Sequence, residues 1–155
     1  MRIKVLWPGR TRSPEFRCLE ESYLERINRL APCRLIVTGE ARGLPESRPD
    51  RILTFEAEGL EKHIKDDYII CLIDKGRDMS SQDFARFLRQ REAASGRSPA
   101  FVVGGFLGLA ESLLAKADLK LSLSRMTFSH ELSRVVLLEQ IYRGLTILRG
   151  RSYAK

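Results

Sequence analysis

Apolar and polar positions along this chain follow two periods, and the switches between them mark out its segments. Residues 2–7 alternate charged and apolar side chains, the pattern of a strand with one face buried, and Pro8-Gly9 ends it. Between Pro14 and Leu30, the residues Phe16, Leu19, Tyr23, Leu24, Ile27 and Leu30 recur at helical spacing, and Ser13 before Pro14 reads as the cap of that helix. Residues 33–38 give a second strand. Residues 39–50 carry two glycines, two prolines and mixed charges with no period, so a loop able to close over a site is expected there.

The alternation continues. Residues 51–64 place Leu53, Ala57, Leu60 and Ile64 on one helical face, and residues 68–73 form a continuous apolar run of the kind buried on both sides of a parallel sheet. A helix is predicted over 80–94, capped by Ser80 or Ser81, then a short strand over 100–103. A short helix over 109–117, a strand over 119–123 and a long helix over 130–149 complete the pattern. Five strands alternating with five helices predict a single-domain, doubly wound α/β fold with a mostly parallel sheet, whose ligands sit at the carboxyl ends of strands. The loops that follow Ile73, Val103 and Leu123 then share one edge.

Composition narrows this further. At 155 residues and 43% hydrophobic content the chain suits one domain with its own core, and no apolar run reaches membrane-spanning length. The net charge is +7, of which +5 lies in residues 116–155, a bias that favours a polyanionic partner such as RNA over an acidic small substrate. Cys18, Cys33 and Cys71 are odd in number and far apart, with two histidines in the chain, so a zinc site is disfavoured. Their apolar neighbours suggest buried, reduced thiols and a cytosolic location.

Candidate chemistry gathers in the last third. Gly104-Gly105-Phe106-Leu107-Gly108 lacks the GxGxxG spacing, and no GxxxxGK[ST] loop occurs, which disfavours NAD and ATP. The glycines still let backbone approach a ligand closely, unless they serve only a tight strand-to-helix turn. The run Ser124-Arg125-Met126-Thr127-Phe128-Ser129 sets hydroxyls and backbone beside apolar groups, a mixture suited to a neutral ring such as adenine. Ser129 or Thr127 could equally cap the last helix. His130, at that helix's start, is held towards its neutral form by the dipole and is a candidate general base or a partner of nearby backbone; His63 reads as surface or structural. Val135-Val136-Leu137-Leu138 covers most of the helix circumference, so either a homodimer interface or full burial within the monomer must shield a second face. Arg134, Arg143, Arg149, Arg151 and Lys155 lie near Tyr142 and Tyr153, suiting phosphate contacts and base stacking or else forming a solvated charged face.

At these residues the chain resembles the RlmH family of SPOUT-class methyltransferases. The likeness is carried by Gly104-Gly105-x-x-Gly108-Leu109, by the run from Leu121 to Phe128 with His130, and by Arg134-Val135. Glu139-Gln140-Ile141-Tyr142-Arg143 and Arg149-Gly150-x-x-Tyr153 extend it. Pro8-Gly9-Arg10, Tyr23-Leu24-x-Arg26-Ile27, Leu72-x-x-x-Gly76-Arg77 and the length add to it across nearly the whole chain. The resemblance implies one SPOUT domain over residues 1–155 with a C-terminal trefoil knot, the knot and cofactor region spanning about 70–155. It implies a cytoplasmic homodimer that uses S-adenosyl-L-methionine to methylate N3 of a pseudouridine in large-subunit (23S) ribosomal RNA on the assembled ribosome, with no metal and no membrane. Leu72, Gly105, Ser124, Arg125, Met126, Thr127, Phe128 and Ser129 would hold the cofactor, and Arg143, Arg149, Arg151 and Lys155 the RNA. His130, Arg143 and Tyr153 are the candidates at the reacting base, with Arg125 or Arg143 favouring its deprotonated form. The family usually ends Tyr-His-Lys or Tyr-His-Arg, whereas this chain has Ala154, and the proline common before His130 is Ser129. A non-catalytic RNA-binding or ribosome-associated module that kept the fold is the alternative, supported by Ala154, with a flavodoxin-like binder behind it.

Overall fold

The inner strands of the sheet are covered by helices on both faces because their side chains alternate between two apolar layers. The computed structural model describes residues 1–94 and 96–151. In chain order these form β1 (Ile3–Pro8), α1 (Pro14–Asn28), β2 (Cys33–Thr38), α2 (Pro49–Glu61), β3 (Tyr68–Asp78), α3 (Ser81–Ala93), β4 (Pro99–Val102), α4 (Glu111–Leu114), β5 (Leu119–Ser122) and α5 (His130–Leu148). The sheet has the order β2-β1-β4-β3-β5 and every pairing is parallel. Ile3, Val5 and Trp7 of β1, with Ile70, Phe101 and Val103, pack under α1, α3 and α5. Leu6, Ile69, Cys71, Ala100 and Val102 turn the other way and pack under α2 and α4. Every residue of β4 is buried, which explains why its apolar run shows no alternation.

The helix starts follow local chemistry. Ser13 accepts a hydrogen bond from the Phe16 N–H at 3.2 Å, with Pro14 at the first helical position. Ser80 and Asp83 cap α3 reciprocally, and Ser129 caps α5 through the Leu132 N–H.

Four expectations are corrected. β3 does not stop at Ile73: it runs to Asp78, and both Leu72 and Arg77 register with Leu121, so residues 73–76 bulge out between two pairings with β5. The charges of Asp74, Lys75, Arg77 and Asp78 hide that second half from any hydrophobic pattern. α4 has four residues where 109–117 was expected. Cys18 is exposed and Cys33 half-buried; only Cys71 is buried, and burial pushes the thiols of Cys33 and Cys71 up to about 12. Arg134 is not one of the outward-facing cations but is 2% exposed. Val135, Leu137 and Leu138 are buried within the chain, where α5 packs against α1 and α3, while Val136 stays half-buried. Among the described residues no helix is long and apolar enough to cross a membrane.

Candidate functional site

A cleft of about 430 Å³ opens where β3, β4 and β5 end at their carboxyl edge. Leu72 and Ile73 form one wall, the glycine loop after β4 a second, and residues 123–124 and 126–130 a third. The glycine loop doubles back on itself, with Gly105 and Gly108 bridged antiparallel and the Gly108 N–H donating to the Gly105 carbonyl at 3.0 Å. A Cβ on Gly104 would lie 2.3 Å from the Gly108 carbonyl carbon, so no larger residue fits that approach without moving the loop.

The opposite wall is shaped by hydroxyls. Ser122 Oγ donates to the Ser124 carbonyl and Ser124 Oγ accepts from the Met126 N–H, both at 2.9 Å. Thr127 Oγ1 donates to Asp74 at 3.3 Å, tying this loop to the bulge of β3, so Ser129 rather than Thr127 caps α5. These bonds leave Phe128 half-buried and Met126 77% exposed at the rim.

Leu72, Gly105, Ser124, Met126, Thr127, Phe128 and Ser129 therefore line one cleft together with His130. Arg125 is exposed and does not line it. Arg143 lines neither this cleft nor the cavity beside it, and its guanidinium pairs with Glu139 at 2.8 Å one turn earlier on α5. Arg149 pairs with Glu92 at 2.7 Å, and Arg151 is exposed just past α5. Tyr153, Ala154 and Lys155 lie outside the described residues.

A second cavity, of about 380 Å³, adjoins the first and shares Gly105, Phe106 and His130 with it. Arg10, Arg12, Glu40 and Glu46 rim it, while Glu56, Glu131 and Arg134 reach it from α2 and α5. Arg134 donates to Thr11 Oγ1 at 2.9 Å and to the Pro8 carbonyl at 2.7 Å, and its guanidinium lies 5.0 Å from the Trp7 ring centroid. Thr11 in turn donates to the buried Glu20 at 2.6 Å. Burial lowers the Arg134 pKa and raises that of Glu20. His130 is likewise pushed down, first by burial and then by the Arg134 charge, which keeps its imidazole neutral. Burial acts against ionised Glu131, but hydrogen bonds from the Arg12 and Ser13 N–H groups outweigh it and hold this carboxyl below its ordinary range.

Glu20, Glu56 and Arg134 as interior groups were not foreseen. Glu56 and Arg134 sit three or four residues from buried apolar neighbours on their own helices, Glu56 between Ile52 and Leu60 and Arg134 ahead of Leu137 and Leu138, while Glu20 lies among the half-buried Phe16, Tyr23 and Leu24. A charge on the apolar stripe was the available signal.

A parallel α/β sheet with a cleft at its carboxyl edge, one wall glycine and another hydroxyl-rich, places this chain in the class of α/β domains that take a small ligand at the ends of their strands. The family model described as "Predicted SPOUT methyltransferase" matches residues 1–154. A protein of Nitratidesulfovibrio vulgaris named ribosomal RNA large subunit methyltransferase H is 40% identical over 152 residues, covering 97% of this chain and 96% of its own. The Alkaliphilus oremlandii protein of the same name is 36% identical over 159 residues and the match covers both chains completely. In fold, the crystal structure of a probable methyltransferase from Bordetella pertussis superposes with a TM-score of 0.59 at 11% identity, covering 93% of this chain and 94% of that one. The chain belongs to the SPOUT methyltransferase family, in its RlmH branch.

The methyl donor of that family is S-adenosyl-L-methionine. The residues present fit it, because the Gly104 and Gly105 backbone forms a surface free of side chains opposite the apolar Leu72, Leu121 and Phe128, with hydroxyls at the margin.

Proposed function

We propose that this chain methylates N3 of a pseudouridine in large-subunit ribosomal RNA, acting as a homodimer on the assembled ribosome. The observation that carries the reading is the convergence of Leu72, the glycine loop, Ser124 and residues 126–129 on a single cleft, although they lie far apart in sequence. S-adenosyl-L-methionine supplies a methyl group made electrophilic by its sulfonium. The chain's own residues bind and orient. Glycine-loop backbone and Phe128 hold the adenosyl part, and Leu72 closes the apolar side. His130, neutral and shared by both cavities, orients the acceptor base, and Tyr153 belongs to that end in the same reading, whereas Arg143 lies thirteen residues further along α5 and reaches neither cavity of its own chain. Arg149, Arg151 and Lys155 meet RNA phosphates, and Arg125 flanks the cofactor loop. Much of the acceleration then comes from alignment, worth about 7–11 kcal/mol for two well-placed reactants. The same reading makes residues 1–155 one SPOUT domain with a C-terminal knot. Support for the knot comes from the family match over residues 1–154.

The test is methyl transfer from labelled S-adenosyl-L-methionine to ribosomes that lack the modification, with the RNA product mapped by mass spectrometry. One methyl per ribosome on a pseudouridine N3 is expected. Cofactor binding without transfer to any ribosomal substrate would put the non-catalytic RNA module ahead.

A further inference from the structure

The cavity beside the cofactor cleft holds a carboxyl with no assigned role. Glu56 is 4% exposed, turned inward on α2 with Ile52 and Leu60. No side chain among the described residues forms an ion pair with it, and the Ala41 backbone and the more distant Arg134 charge are the groups that favour its ionised form. An ideal Cβ on Gly105 would lie 2.8 Å and 3.2 Å from its two carboxyl oxygens. The carboxyl therefore rests against the bare backbone that separates the two cavities, and it can do so because residue 105 has no side chain.

The surroundings suit a planar base. Phe106, 56% exposed, borders both cavities and offers an aromatic face for stacking. Arg10 and Arg12 lie at the mouth and Arg134 at the floor, which supplies donors. A uracil-type ring presents an N–H between two carbonyls. A carboxylate is the complement of that N–H, and guanidinium groups are the complement of the carbonyls.

Resting on the methyltransferase reading, we propose that the second cavity seats the acceptor ring and that Glu56 is the proton acceptor for its reacting N–H. The N3–H bond breaks with its proton passing to a Glu56 carboxyl oxygen. The electron pair left on N3 forms the bond to the methyl carbon, and the methyl–sulfur pair stays with sulfur. Burial, and next the charge of Glu40, raise the Glu56 pKa towards the range where a general base works best. The other groups facing the cavity are Arg10 and Arg12 from the β1–α1 loop, Glu46 from the β2–α2 loop, and His130, Glu131 and Arg134 from α5.

The experiment compares wild type with Glu56→Gln in single-turnover methyl transfer to unmodified ribosomes across neutral pH, with cofactor affinity measured by calorimetry on the same preparations. Side-chain carbon NMR of glutamate-labelled protein, assigned by the signal missing in Glu56→Gln, follows the carboxyl directly. Expected are cofactor affinity unchanged within about twofold, transfer slowed about 100-fold or more, and a residual rate that rises with pH. The Glu56 carboxyl should titrate above the ordinary glutamate value. Glu56→Asp, which keeps the carboxyl one methylene short, should fall between the two. Transfer by Glu56→Gln within about threefold of wild type, or a carboxyl that titrates at its ordinary value, overturns the assignment of Glu56 and leaves the methyltransferase reading standing. Loss of rate and cofactor affinity together also overturns it, as a structural role. A wild type that binds cofactor but transfers no methyl overturns the methyltransferase reading and this inference with it.

Discussion

Arg134 shows how much of the site depends on single buried charges. Its guanidinium links the end of β1, the β1–α1 loop and α5 through the Pro8 carbonyl and Thr11, and Thr11 passes the link to Glu20. Removing it leaves Glu20 with Thr11 but without the guanidinium charge, and strips the Pro8 carbonyl and the Thr11 hydroxyl of their donor in a dry interior, where unpaired polar groups are costly. Arg134→Leu is expected to lower unfolding free energy by about 3 kcal/mol, read from urea denaturation; a loss below about 1 kcal/mol would mean that the network contributes little. Residues whose role depends on local chemistry were legible in the sequence: Ser13 and Ser80 as caps, Gly105 and Ser124 as cleft lining. Glu56, Glu20 and Arg134 were not, because periodicity counts a charge as a break in the apolar stripe even when it faces inward. Arg125 was placed in the cleft by its neighbours in sequence, but the turn that brings Ser124 and Met126 to the wall leaves it exposed.

Among the elements, α5 and β3 position the site. α5 crosses α3 closely at Gly144, where a Cβ would come within 2.8 Å of Leu88 and 3.3 Å of Phe84. Gly144→Leu is expected to force these helices apart at a cost of about 1–3 kcal/mol, seen as a lowered melting temperature. Cofactor affinity should change less than stability, because the cleft lies at the other end of α5; an unchanged melting temperature would show that the interface relaxes freely. The helical period predicted α5 well, since a long apolar stripe has a strong signal. It could not decide whether the second apolar face met another copy or the chain itself, and α1 and α3 bury most of it. The second half of β3 was illegible for a different reason. Its residues are charged, and it is a strand only through backbone pairing with β5, which leaves no side-chain pattern.

At the scale of the whole molecule, winding was legible and strand order was not. Alternation of strands with helices implies parallel pairing and ligands at one edge, but placing β4 between β1 and β3 requires contacts that local pattern does not encode. That order is what brings three separated loops to one cleft. The excess positive charge of the C-terminal third lies partly in ion pairs, Arg143 with Glu139 and Arg149 with Glu92, whereas Arg125 and Arg151 are exposed. The central claim is that the glycine-walled cleft binds S-adenosyl-L-methionine, and titration calorimetry of wild type against Gly104→Ala tests it most directly. The added methyl would sit 2.3 Å from Gly108 backbone and must displace the loop. Saturable binding by the wild type, weakened at least about tenfold in the variant, is the predicted result. No binding by the wild type at high cofactor concentration would contradict it.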